Sequence, residues 1–373
     1  MKKLAALFII SSLFILGSCG ENGSDPMDDP CVSDFDQKTM FANYADHLIL
    51  PAYKALTLSL TDLETAINDL SSDPNHANLT AAQATFLETY EKWQYAAPYE
   101  FGPAASVFLR NHFNNFPLNI EEVENNIAAS ATNFSQPDTY DKGLPALDYL
   151  LFYESHEMVL NQFTVDENAT QRKRYIKAII ADMKDRLTIT LREWEGDYRQ
   201  SFINNAGTAD GSSLSLIINQ LNQHFEGVKR ESIGIPSGVY TLSIPNPERV
   251  EGYFSGHSSA LVKLSLQVNN AFFLGKDQAG TDRSGLDDFL RHKEVEKEAE
   301  LLVNKINKQY EAMIQSFENI ETPFSKAVGA EQTPVDVQAF YNEVSRQVIM
   351  IKTDMPSSLC VSITYIDNPS DSD

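Results

Sequence analysis

The sequence predicts an all-α protein of two helical-bundle domains, with one short strand segment near the C-terminus. Three observations point there. Apolar and aromatic residues recur at spacings of three and four over long stretches; Pro- and Gly-bearing loops separate those stretches; and β-branched alternation is confined to residues 359–365. The chain has 373 residues, 42% hydrophobic and 10% aromatic, which suits a folded protein with room for two domains.

The first element is an export signal. Lys2 and Lys3 precede an apolar stretch from Leu4 to Leu16, followed by Gly17, Ser18 and Cys19. A basic start, a short apolar core and small residues before a cysteine are the parts of such a signal. As a helix the stretch would rise only about 20 Å, short for a bilayer. The box Leu16-Gly17-Ser18-Cys19 looks like the bacterial lipobox, in which Cys19 becomes the acylated first residue. This places the protein in a bacterial cell envelope, periplasmic or surface-facing, with the membrane as partner through a lipid anchor. A secreted protein cleaved elsewhere is the alternative. Removing residues 1–18 also removes Lys2 and Lys3, so the net charge moves from −23 to −25. Such an anion repels nucleic acid, which is excluded as a partner.

Residues 19–33 are polar and rich in turn formers, and read as a flexible tether. Helical periodicity begins at Phe35. An N-terminal bundle over 34–207 has helices expected near 36–70 and 171–195, and a face made by Phe86, Tyr90, Trp93, Ala97 and Phe101. The turn residues of 205–212 mark a boundary. A C-terminal bundle over 208–367 follows, with helices near 212–229 and 334–355. One stripe runs Val250, Phe254, His257, Leu261, Leu264, Val268, Phe272; another runs Val295, Ala299, Leu302, Ile306, Tyr310, Met313, Phe317, Ile320. Residues 368–373 form an acidic tail, read as solvated. With Cys19 assigned to lipid, Cys31 and Cys360 make an even pair in a disulfide-permissive compartment; a bridge and two separate thiols are both open.

No P-loop, Gly-x-Ser-x-Gly, His-Glu-x-x-His or dinucleotide glycine fingerprint is present. Four stretches carry a resemblance instead: Tyr90–Gln94 running to Pro103, Lys142–Phe152, Glu251–Ser258 and Val361–Asn368. In this order and spacing the chain resembles the imelysin family, also called M75 peptidase-like. The resemblance implies two helical bundles with a site where they meet. It implies a binding or accessory role in iron or haem-iron uptake, with iron or haem as ligand and iron-uptake components as partners. The alternatives are an M75-type metallopeptidase and a structural or partner-binding envelope protein. The family signature Gly-x-His-x-x-Glu falls here on Gly143, Pro145 and Asp148. Proline has no ligand atom, so the His–Glu pair as a metal clamp is lost. Pro145 suits a first helical turn, and Asp148 in or near that turn would favour the helix dipole. The ligand-site candidates are Gly143, Asp148, Glu251, Tyr253 and Ser255, with no catalytic residue assigned. Glu251, Ser255 and Ser258 would form a polar row on the helix that carries His257, itself read as a core histidine.

Overall fold

The structure is a computed structural model that describes residues 31–294, 301–329 and 331–365. The export signal, Cys19, most of the tether, Val295, Ala299 and the acidic tail lie outside the described residues. From Phe35 onward the chain forms one compact unit.

The first half holds α1 (Gln37–Asn43), α2 (Leu50–Ser72), α3 (His76–Ala96), α4 (Pro103–Ser106), α5 (Leu109–Phe113), α6 (Ile120–Ala128), α7 (Gly143–Phe152), α8 (His156–Thr164), α9 (Ala169–Glu193) and α10 (Arg199–Asn204). The second holds α11 (Ser213–Gly227), α12 (Ser258–Phe273), α13 (Leu286–Glu294), α14 (Leu302–Phe317), α15 (Phe324–Ala327), α16 (Val335–Ile349) and α17 (Met355–Ser358). Helix α3 stops at Ala96, and Gly102 and Pro103 open α4. None of the described helices is long and apolar enough to cross a membrane.

The long helices form because their apolar residues share a face and their ends are capped. The side chain of Asn75 accepts the N–H of Asn78 at the start of α3. That helix then buries Phe86, Tyr90 and Trp93. Helix α2 packs on α3 and α9, α14 on α16, and α12 on α14. The core crosses the 205–212 loop, because α3 also packs on α12. This crossing sets Gln94 of α3 against Ser265 of α12, whose hydroxyl donates to Oε1 of Gln94 at 2.6 Å.

Two sequence-based expectations are corrected. No strand occurs among the described residues, so the expected strand over 359–365 is absent. Leu359 and Val361 are buried, but the segment has no second strand to pair with. The amide of Asn219 on α11 stands in for a ladder: its Oδ1 accepts from the N–H of Thr364 at 2.6 Å and its Nδ2 donates to the carbonyl of Ser362 at 3.0 Å. The helix expected from Val250 starts only at Ser258. Residues 250–257 are turns, with Gly252 and Gly256 both at positive φ, so Glu251, Ser255 and Ser258 do not form a helical row. Cys31 and Cys360 are both disulfide-bonded.

Candidate functional site

Helix α7 is apolar on every side and buried from Gly143 to Leu151, as expected of a helix inside a core. Its entry depends on Gly143, at φ +70°, where a Cβ would lie 2.3 Å from the carbonyl oxygen of Phe113. Only glycine tolerates both the backbone angle and that approach. Pro145 sits in the first turn. Asp148 does not: it is the sixth residue, 1% exposed, and its own helix terminus does not hold it. The turns after Val250 hold it instead. The N–H of Phe254 donates to its Oδ2 at 2.9 Å and the N–H of Ser255 to its Oδ1 at 3.1 Å. Burial dominates these donors and pushes the Asp148 carboxyl up to about 6.

Glu251, in the same turns, is 3% exposed. Side-chain amides from the other half of the chain meet it: Nε2 of Gln94 and Nδ2 of Asn114 donate to its Oε1 at 2.7 and 2.6 Å. Asn114 is oriented in turn by the hydroxyl of Tyr90, which donates to its Oδ1 at 2.9 Å. No cation bonds to the carboxyl. Burial, with the like charge of Glu231 added, outweighs the two amides and pushes Glu251 up to about 7.

Both carboxyls line one cleft of about 570 Å³, with Tyr90, Phe116, Pro145, Tyr153, Arg249 and Tyr253 among its walls. A second cleft, about 630 Å³, shares Phe116, Pro117, Leu118, Ile120 and Arg249 with the first. On its inner side Glu251 also faces a cavity of about 40 Å³ with Arg110, His224 and Ser265, which is sized for water. There Asn269 Nδ2 lies 3.2 Å from His224 Nδ1. An amide nitrogen only donates, so Nδ1 accepts and the ring proton sits on Nε2. Burial pushes His224 down to about 3, so the ring stays neutral.

The cleft brings together Asp148, Glu251 and Tyr253 from among the sequence candidates. Gly143 and Ser255 do not line it: Gly143 seats α7 on α5, and Ser255 lends its backbone N–H to Asp148. His257 caps α12, half-buried, with Nε2 2.8 Å from Oε1 of Glu91. Sequence reasoning missed Asn114, Gln94 and Arg249. Gln94 lies inside one of the motif stretches, but Asn114 and Arg249 had no local signal.

The family model described as Imelysin, of the Peptidase M75 group, matches residues 49–350. The chain belongs to the imelysin family. Iron-regulated protein A of Synechococcus elongatus is 22% identical over 222 residues, which is 57% of this chain and 57% of that protein. A solved structure from Parabacteroides distasonis ATCC 8503, described as an iron-regulated protein A precursor, superposes with a TM-score of 0.72 at 15% identity, covering 91% of this chain and 97% of its own. An imelysin-like protein from Psychrobacter arcticum 273-4 gives 0.68 at 15% identity, covering 90% and 98%. These two likenesses speak for the fold.

The M75 designation raises the question of a resident metal. Pro145, which the resemblance sets at the histidine of the signature, is on the cleft wall with Asp148 and has no donor atom. Among the described residues no three His, Cys, Asp or Glu side chains converge. A protein-held metal normally takes three or four such ligands, so the residues of this cleft do not fit one.

Proposed function

We propose that this imelysin is a lipid-anchored binding protein of the bacterial envelope that serves iron or haem-iron uptake, taking its ligand in the cleft between the two helical bundles. The observation that carries this reading is the convergence of Asp148 and Glu251, from opposite halves of the chain, on one open cleft. Both are buried without an ion pair among the described residues, an arrangement that costs stability and is common where a group is kept for a ligand. Family membership and the name of the cyanobacterial relative support iron as the element concerned. The anchor is Cys19, and iron-uptake components are the expected partners.

The test is titration of the purified ectodomain with ferric salts, haem and iron–siderophore complexes, for wild type beside Asp148→Ala and Glu251→Ala. At least one ligand binds, and each variant weakens it tenfold or more. A deletion strain grows more slowly under iron limitation. Absence of binding to every ligand, with unchanged growth, would leave a structural role; chelator-sensitive peptide hydrolysis would favour the metallopeptidase.

A further inference from the structure

The two clefts meet at Arg249. It ends the short turn Pro247–Arg249 and lines both spaces. Among the described residues its guanidinium has no hydrogen bond and no ion pair, and its Nε is buried without a partner. An arginine Nε–H removed from water with nothing to donate to is costly. The carboxyls on the same walls do not satisfy it. Asp148 is engaged by two backbone N–H groups and Glu251 by two amides, Glu248 is exposed, and Glu231 on the second cleft interacts with Arg110 and Arg230. Between the polar groups of these walls runs an apolar and aromatic lining: Phe116, Pro117 and Leu118 are shared, Tyr140 stands on one side and Tyr153 on the other. Phe108, Tyr140 and Tyr153 are the exposed aromatic rings among the described residues, so two of the three belong to this place.

We infer that the cleft takes a carboxylate-bearing organic molecule with a flat apolar body. Its carboxylate sits on the fork of Arg249 and its body lies between Phe116 and the tyrosines. Guanidinium and carboxylate match in a planar, two-point contact. The two spaces together have the size and lining of a small-molecule site. The inference rests on the reading of the cleft as an iron-ligand site and names the ligand's chemistry. Iron would enter already held by an organic acid, because the cleft lacks the side chains to hold the bare ion. Such an acid could be a porphyrin or an open-chain polycarboxylate, and the flat walls favour the ring.

The experiment uses iron-free protoporphyrin IX, its dimethyl ester, ferric citrate and ferric chloride, each titrated into the ectodomain of wild type, Arg249→Lys and Arg249→Gln. Porphyrin fluorescence and absorbance report the first two, and calorimetry the others. Protoporphyrin is expected to bind wild type and to lose roughly tenfold or more in Arg249→Gln, as befits a charge-assisted pair. Arg249→Lys should lie between, and the ester should bind both variants and wild type with equal, weak affinity. An acid that binds no better than its ester, or an Arg249→Gln variant that binds like wild type with unchanged circular dichroism, overturns the inference. Ferric citrate bound in an Arg249-dependent way without porphyrin binding keeps the carboxylate contact and overturns the flat body. Ferric chloride bound alone, independent of Arg249, overturns the inference while leaving the iron-binding role standing. No binding by any of the four overturns the inference, and the iron role is then decided by the haem and siderophore titrations above.

Discussion

Asp148 and Glu251 stand on the walls of one cleft, equally buried, yet different kinds of group hold them. Asp148 is gripped by backbone N–H groups of Phe254 and Ser255, with the Ser255 side chain adding to them, so its support is chiefly a loop shape. Glu251 is gripped by the side-chain amides of Gln94 and Asn114, so its support is a set of residue identities. Backbone donors survive any side-chain replacement but require the turn to hold, and Gly252 at φ +64° shows where that requirement falls. Side-chain donors can be removed singly. Neither arrangement includes an ion pair, and in both burial outweighs the hydrogen bonds and the more distant charges of Arg110 and His257. The common outcome is a carboxyl that holds its proton to near-neutral pH.

The largest test of this contrast displaces the helix that carries Asp148. Gly143→Ala would force a Cβ against the carbonyl of Phe113 at a positive φ, and is expected to cost more than about 3 kcal/mol. Denaturant titration reads this, and a wild-type midpoint would show that α7 does not need its close seat.

Next, Asp148→Ala leaves two inward N–H groups without an acceptor. It is expected to cost roughly 2–3 kcal/mol at pH 3, below both the unfolded and the folded value of Asp148, where its ionisation plays little part. Asn114→Leu removes one donor from Glu251 and the acceptor of the Tyr90 hydroxyl, and is expected to cost about 1–2 kcal/mol. Equal losses from the two substitutions would erase the distinction between loop-held and side-chain-held carboxyls.

The pH dependence follows from the raised values. Glu251 moves from 4.5 to about 7 and Asp148 from 3.8 to about 6 on folding. In the interval between, the folded chain binds more protons than the unfolded one, so stability falls as pH rises. The effect is absent below the unfolded values and complete above the folded ones. Two to two and a half pH units correspond to roughly 3 kcal/mol for each group. Glu251→Gln keeps the oxygen that accepts from Gln94 and Asn114 and removes the titration. It is therefore expected to match wild type near pH 4.5 and to be more stable at pH 8. Parallel stability curves for the two proteins would contradict this. Asp287, pushed by burial to about 7, keeps part of the slope in the variant.

Much of the architecture was legible in the residues themselves. The stripe from Phe86 to Trp93, the turn residues of 205–212 and the glycine–proline start of α7 all reappear as helix, loop and helix entry. The stripe from Val250 misled because Val250, Phe254 and His257 match a helical period over only two turns. Gly252 and Gly256, which take left-handed backbone angles, were the contrary signal. The 359–365 alternation misled because a strand needs a partner strand, and alternation records only which side chains are buried.

The sequence by itself determined which residues leave water: the apolar period is local, and burial of a helix face follows from it without knowledge of the neighbour. It also marked Asp148 and Glu251, through their places in the family's motifs. Only the tertiary structure decided what those carboxyls meet. Asn114 lies 137 residues from Glu251, and Phe254 lies 106 from Asp148. A hydrogen bond is directional and short, so its partner is chosen by how the helices cross, and no local pattern in the chain encodes that crossing.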